Sequence, residues 1–176
     1  GTHGKTTTTA LTTFLLDGVG LEPGMLVGGK AQNFDRSCLL GKEGSPFVVE
    51  GDEYDTAYFD KGPKFLHYRP QIAILNNIEF DHADIYDSLD EIIENFDRLI
   101  DGLAPTSLLL ANADDACVME RAKRHSGPIV TYGFGEQAQL RAVDVTPGPT
   151  GCLFTLVKDG RTLGPVESPM AGRHNV

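Results

Sequence analysis

The chain has 176 residues, a formal net charge of −10, and 40% hydrophobic against 23% charged residues. This length is enough for one domain with its own core, and the composition is that of an ordinary globular protein. The acidic balance argues against nucleic acid as the main partner, because like charges repel. No apolar run approaches the length of a membrane span, so we expect no membrane partner. The three cysteines lack metal-ligand spacing, and we expect reduced thiols in a cytoplasmic protein.

The chain opens with the string Gly-Thr-His-Gly-Lys-Thr-Thr. A glycine-containing turn followed by Gly-Lys-Thr predicts a phosphate-binding loop whose backbone N–H groups face phosphate oxygens. We expect Lys5 to reach the outer phosphates of ATP and the Thr6 hydroxyl to hold Mg²⁺. The predicted nucleotide-binding residues of this loop are Gly1, Thr2, His3, Gly4, Lys5, Thr6 and Thr7.

The first half of the chain predicts one helix, a long irregular segment and two buried strands. Residues 5–17 have helical periodicity, and residues 21–45 are rich in glycine and are expected to form a loop with short extended pieces. The apolar runs at 47–50 and 72–75 have the composition of buried parallel strands. The apolar face expected for the helix consists of Leu11, Phe14 and Leu15.

The second half alternates helices and strands. Residues 88–103 predict the clearest helix, with Ser88 and Glu91 spaced as in a capping box. Its apolar stripe consists of Leu89, Ile92, Ile93, Phe96, Leu99, Ile100 and Leu103. Further predicted elements are a strand at 107–110, a helix at 113–124 and a strand at 129–132. This alternation predicts an α/β fold of the P-loop type, with a mainly parallel sheet flanked by helices.

The periodicity changes after residue 139. Three apolar runs at 140–145, 152–158 and 162–167 are separated by turn residues, and Asp159-Gly160 between the last two is typical of a hairpin. We therefore expect a small antiparallel β-sheet near the C-terminus, appended to the parallel one.

Acidic residues follow two of the predicted parallel strands. Ligands of such sheets gather where the strands end, and a P-loop enzyme needs an acid near its Mg²⁺. Glu50 ends the first strand and fits that place, with Glu53 as a supporting group. His82 follows the second strand between two aspartates, where it could serve a second divalent ion or act as an acid or base. A structural histidine is the alternative at that position.

Four motifs in order resemble the central domain of the Mur ligases. They are the phosphate loop, then Glu-Gly-Asp-Glu-Tyr-Asp from residue 50, Asn-Ile-Glu-Phe-Asp-His-Ala-Asp from residue 77, and Gly-Arg-His-Asn from residue 172. The resemblance implies an ATP-dependent ligase that activates the carboxylate of UDP-N-acetylmuramate as an acyl phosphate and joins an amine to it. It implies Mg²⁺ bound by Thr6 and Glu50, a second metal at His82, and adenine bound by Asn175. The residues expected to be catalytic are then Lys5, Glu50 and His82.

The resemblance also implies a longer protein. Residues 1–176 would be the central ATP-binding domain, truncated at both ends, with an N-terminal UDP-binding domain and a C-terminal domain outside the chain. His3 resembles the branch that acts on UDP-N-acetylmuramate. Within that branch, the segment 58–69 resembles the ligases that join a tripeptide, L-alanyl-γ-D-glutamyl-meso-diaminopimelate, to this acceptor in peptidoglycan recycling. The alternatives are a ligase that adds L-alanine to the same acceptor, and a P-loop binding module that uses nucleotide to control a partner.

Overall fold

The computed structural model describes residues 2–53, 55–57, 60–80, 86 and 88–176. The chain divides into two compact units, residues 1–68 with 79–95, and residues 69–78 with 96–176. The helices are α1 (Lys5–Gly18), α2 (Leu89–Asp101) and α3 (Ala116–Ala122). The strands of the first unit are β1 (Gly24–Ala31), β2 (Arg36–Leu39), β3 (Phe47–Val49), β4 (Asp55–Ala57) and β5 (Asp60–Pro63). Those of the second are β6 (Ile72–Leu75), β7 (Leu108–Asn112), β8 (Ile129–Gly133), β9 (Leu140–Gly148), β10 (Gly151–Lys158) and β11 (Arg161–Ser168).

The second unit is built on a six-stranded sheet of order β11-β10-β9-β8-β7-β6. Strands β6 to β9 pair in parallel, and β9 to β11 pair antiparallel. The mainly parallel α/β fold is therefore confirmed, and so are the antiparallel strands appended to it near the C-terminus, which continue the same sheet. The hairpin at Asp159-Gly160 is also confirmed: both residues have positive φ, 48° and 78°, as a two-residue hairpin turn requires.

The stripe predicted for α2 is largely confirmed. Its buried members recur every three or four residues, and the Ser88 hydroxyl accepts the backbone N–H of Glu91 at 3.4 Å, as expected for a cap. Among the other stripe members, Leu89 is 38% exposed, and Ile93 and Leu99 are partly buried. The stripe members that are at most 6% exposed are Ile92, Phe96, Ile100 and Leu103.

The glycine-rich segment 21–45 is more regular than the loop with short extended pieces expected from its composition. It forms the antiparallel pair β1–β2, and β1 also pairs in parallel with β3 to make a three-stranded sheet. Glycine weakens an isolated strand, but here Met25 and Val27 are buried and supply the packing that local propensity lacks. Strands β3 and β6 consequently belong to different sheets, not to the single sheet that the two apolar runs predicted.

The buried face of α1 also differs from the prediction. Phe14 and Leu15 are 47% and 58% exposed, whereas Thr9 and Thr13 are buried. The helix contacts β1, and Ala10 packs against the buried Met25 and Val27 of that strand. Burial of Thr13 is possible because its hydroxyl donates to the carbonyl of Thr9 at 2.8 Å, so no polar group is left unsatisfied. Short side chains let the helix approach the glycine-rich strand closely.

One side chain caps α3 and ties it to the segment after β6. The Asp115 carboxylate accepts the N–H groups of Val118 at 2.9 Å and of Ile78 at 3.2 Å. We expect Asp115→Ala to lower the free energy of unfolding by about 1–2 kcal/mol in urea denaturation, because two backbone donors lose their acceptor. Asp115→Asn keeps one side-chain oxygen and should lose less. Equal stability of the alanine variant and the wild type would contradict this role.

Candidate functional site

The phosphate loop turns into α1 at Gly4. This glycine has φ 77° and ψ 6°, a left-handed conformation that favours glycine, and Lys5 is the first helical residue. The carbonyl of Gly4 accepts the N–H of Thr8 at 2.9 Å, which closes the first turn. The backbone N–H groups of the residues before Thr8 have no carbonyl partner within the helix. The helix dipole adds partial positive charge at this end. The loop geometry thus fits the predicted phosphate site.

The side chain of Lys5 lies against its own loop. Its Nζ donates to the carbonyl of Thr2 at 2.9 Å and forms an ion pair with Glu53 Oε2 at 2.5 Å. The two paired side chains are 13% and 3% exposed. Glu53 is itself held in place, since its backbone carbonyl accepts the hydroxyl of buried Tyr86 at 2.6 Å. Glu53 is therefore the ion-pair partner of the phosphate-loop lysine.

Thr6 and Glu50 meet as the sequence predicted. The Thr6 hydroxyl donates to Glu50 Oε1 at 2.7 Å, and the N–H of Gly28 in β1 donates to Glu50 Oε2 at 2.8 Å. One carboxylate oxygen therefore faces the start of α1 and the other faces β1. A Cβ on Gly28 would lie 3.5 Å from Glu50 Oε2, and one on Gly29 would lie 3.5 Å from Thr6 Cγ2. The close approach of β1 thus fixes the acid beside the hydroxyl.

The Thr6 hydroxyl and the Glu50 carboxylate suit a hard divalent cation. Mg²⁺ keeps several waters and is commonly bound through one or two carboxylates and a hydroxyl, so Thr6 and Glu50 fit it. Across the part of the chain that the structure describes, no group of three or more His, Cys, Asp and Glu side chains is placed to hold a metal by itself. Waters and bound phosphate oxygens would complete such a site.

Two acids, Asp52 and Glu50, act electrostatically on Tyr68. Partial burial raises the pKa of the Tyr68 phenol, and the negative charges of Asp52 and then Glu50 raise it further. The phenol is therefore a neutral hydrogen-bonding group at neutral pH. A neutral phenol adds no further negative charge beside Glu50.

The segment after β6 reaches the loop through Glu79. The backbone N–H of Glu79 donates to the Thr2 hydroxyl at 3.0 Å, and Thr2 is 5% exposed. His3 Nε2 lies 3.6 Å from the Glu79 carboxylate, and both side chains are more than half exposed. This supports the expectation that residues following the second strand approach the loop. His82 and Gly1 lie outside the described residues, so the predicted metal role of His82 stays a prediction.

Asn175 lies in the second unit. It ends a short 3₁₀ turn, Arg173–Asn175, and its amide donates to the carbonyl of Ala171 at 2.7 Å. The guanidinium of Arg173 stacks over the Phe134 ring at 4.2 Å, which attaches this turn to the loop after β8. The adenine contact expected of Asn175 stays a prediction.

One participant was missed in the sequence, and another was expected in a different role. Gly28 was assigned to a loop, although a Gly-Gly pair within an apolar run signals close backbone approach. Glu53 was expected to support the metal, whereas it contacts Lys5. Its neighbours in sequence give no sign of this contact, because the pairing depends on tertiary structure.

Comparison with known proteins identifies the family. The model of the Mur ligase middle domain matches residues 1–176. The chain belongs to the Mur ligase family. A Haemophilus influenzae UDP-N-acetylmuramate–L-alanyl-γ-D-glutamyl-meso-2,6-diaminoheptandioate ligase is 48% identical over 177 residues, which are 100% of this chain and 38% of that protein. A Rubrobacter xylanophilus UDP-N-acetylmuramate–L-alanine ligase is 38% identical over 100% of this chain and 36% of its own length.

Solved structures of Mur ligases agree with this assignment. The crystal structure of UDP-N-acetylmuramate:L-alanyl-γ-D-glutamyl-meso-diaminopimelate ligase from Neisseria meningitides is 37% identical and has a TM-score of 0.84, covering 99% of this chain and 55% of that one. The chain spans well under half the length of the two ligases from H. influenzae and R. xylanophilus, namely 38% and 36%. Among the described residues, no helix is long and apolar enough to cross a membrane.

Proposed function

We propose that the full-length protein is an ATP-dependent ligase that joins the tripeptide L-alanyl-γ-D-glutamyl-meso-diaminopimelate to UDP-N-acetylmuramate in peptidoglycan recycling. This chain would be its central domain, which binds ATP and Mg²⁺. The main supporting observation is the phosphate loop, which places Thr6 Oγ1 2.7 Å from Glu50 Oε1 and pairs Lys5 with Glu53. The domain expected to bind UDP and the C-terminal domain remain proposals.

The proposed reaction forms one amide bond for each ATP consumed. A carboxylate oxygen of the muramate attacks the γ-phosphorus of ATP, and ADP leaves. The peptide amine then attacks the carbonyl carbon of the acyl phosphate, and inorganic phosphate leaves as the amide forms. Negative charge spreads over the transferring phosphoryl oxygens, and Lys5 and the loop N–H groups would stabilise it.

The remaining site residues have proposed roles of the same kind. Thr6 and Glu50 would hold Mg²⁺, which when bound supplies positive charge to the phosphates. His82 would serve a second metal or act as an acid or base, and Asn175 would bind adenine. The rest of the loop, from Gly1 to Thr7, would surround the phosphates through backbone N–H groups.

The choice of the amine rests on similarity. Identity to the tripeptide ligase from H. influenzae is 48%, against 38% to the L-alanine ligase from R. xylanophilus. A cytoplasmic location follows from the proposed chemistry, because ATP and UDP-linked sugar precursors are its substrates. The alternative outside the ligases, a P-loop module that only binds nucleotide, predicts no ADP release stimulated by either acceptor.

The substrate is tested by ADP release from the full-length protein with UDP-N-acetylmuramate and either the tripeptide or L-alanine. We expect release with the tripeptide, and little with L-alanine. ADP release with L-alanine and not with the tripeptide would support the ligase assignment but contradict the tripeptide as the amine substrate. Absence of release with both amines would overturn the proposed function.

A further inference from the structure

The Lys5–Glu53 pair is unusual because both members are largely withdrawn from solvent. Glu53 is 3% exposed, and apart from Lys5 neither of its carboxylate oxygens has a hydrogen-bonding partner in the described part of the chain. A buried carboxylate is costly unless it is paired, so its placement beside one lysine calls for an explanation. Glu50, three residues earlier, is occupied with Thr6 and Gly28 and does not contact this lysine.

The two contacts of Lys5 leave part of its ammonium available. A lysine ammonium has three N–H donors, and here one is directed to the carbonyl of Thr2 and one faces Glu53. The remaining donor is available to a phosphate oxygen. A lysine on a flexible four-carbon stem would otherwise sample many positions, and two fixed acceptors restrict it.

The acceptors are themselves immobilised. Tyr86 holds the backbone of Glu53 at 2.6 Å, and the hydroxyl of Thr2 is hydrogen bonded to the backbone of Glu79. Each anchor of the ammonium is therefore attached to the segment that follows β6. This arrangement resembles the supporting shell that keeps a charged group at a fixed point in a preorganised site.

We propose that Glu53 is the positioning residue of the phosphate-loop lysine: its carboxylate, 2.5 Å from the ammonium, fixes Lys5 at the point where charge develops during phosphoryl transfer. The inference rests on the proposed function, since it assumes that Lys5 acts on phosphate. Glu53 would act through Lys5 and not on the substrates directly. The two acids would then have different roles. Glu53 would orient Lys5, and Glu50 would bind Mg²⁺.

The test is Glu53→Gln in the full-length protein, which removes the charge and keeps the shape. We expect kcat for ADP release to fall by about 10- to 100-fold, because a misplaced lysine stabilises the transition state poorly. The dissociation constant for ADP, measured by calorimetry, should stay within about threefold of the wild type, because Lys5 keeps its charge. The matched control is Glu120→Gln, which removes the acid of an exposed Glu–Lys pair at 2.7 Å and should leave both values unchanged.

A double-mutant cycle with Lys5→Ala separates positioning from a general structural role. Since Glu53 acts through Lys5, adding Glu53→Gln to Lys5→Ala should cause no further loss of turnover. It should also raise the thermal midpoint above that of Lys5→Ala alone, because the carboxylate left unpaired is removed. This comparison of midpoints still applies if Glu53→Gln alone fails to fold.

Three results would overturn the inference. They are a kcat of Glu53→Gln equal to the wild type, a loss that multiplies in the Lys5→Ala background, and a double variant less stable than Lys5→Ala. Failure of the proposed function has a different signature, namely no ADP release by the wild type with either amine. In that case the midpoints of the double-mutant cycle still decide whether the two residues are coupled.

Discussion

Replacement of Lys5 by alanine is expected to lower the rate of ATP-dependent ligation by about 1,000-fold. The lysine is the one side chain of the described loop that can bring a full positive charge to a transferring phosphoryl group, and it is held at the start of α1 by Thr2 and Glu53. Its loss removes an interaction that strengthens as charge develops, so kcat should fall more than the affinity for ADP. ADP release by the full-length protein measures the first quantity and calorimetry the second.

The control for this variant is Lys123→Ala, which removes an exposed lysine that pairs with Glu120. It should leave turnover unchanged, since exposed ion pairs contribute little. A Lys5→Ala enzyme with wild-type kcat would contradict the assignment of the loop.

Replacement of Glu50 by alanine is expected to lower turnover by about 100- to 1,000-fold at ordinary Mg²⁺ concentrations. The side chain contributes both oxygens that face Thr6 and Gly28, and its removal leaves the Thr6 hydroxyl as the single protein ligand proposed for the ion. The Mg²⁺ concentration that gives half-maximal activity should therefore rise, and excess Mg²⁺ should restore part of the rate.

A titration of ADP release against Mg²⁺ measures this effect. Glu43→Ala, which removes an exposed acid from the same unit, should give the titration curve of the wild type. A Glu50→Ala curve that differs in its plateau but not in its midpoint would remove Glu50 from the metal site.

The parts of the fold that followed from sequence are those governed by local patterns. The stripe of α2 has helical period, and residues 92, 96, 100 and 103 are buried as that period requires. The turn at Asp159-Gly160 needs positive φ at two successive residues, which few dipeptides adopt. The phosphate loop likewise has a local signature, because Gly4 must adopt a left-handed conformation.

The parts that sequence did not predict depend on contacts between distant residues. Strand β1 contains three glycines and has little intrinsic preference for extended structure, so its pairing with β2 and β3 decides its conformation. The helix α1 buries Thr9 and Thr13 and leaves Phe14 and Leu15 exposed, a choice that its own apolar pattern does not predict.

The candidate site also contains one contact that the sequence predicted and one that it did not. The proximity of Thr6 and Glu50 was predicted, because strand ends and the phosphate loop converge in proteins of this class. The pairing of Lys5 with Glu53 was not, because two acids three residues apart are equivalent in sequence until the backbone directs one to each partner.

The most direct test of the account is to follow oxygen through the reaction. UDP-N-acetylmuramate labelled with ¹⁸O in its carboxylate is incubated with the full-length protein, ATP and the tripeptide, and the released phosphate is analysed by mass spectrometry. If the carboxylate is activated as an acyl phosphate, one labelled oxygen must pass into each phosphate as the amide forms. Release of phosphate without label, in step with amide formation, would contradict the proposed ligase mechanism.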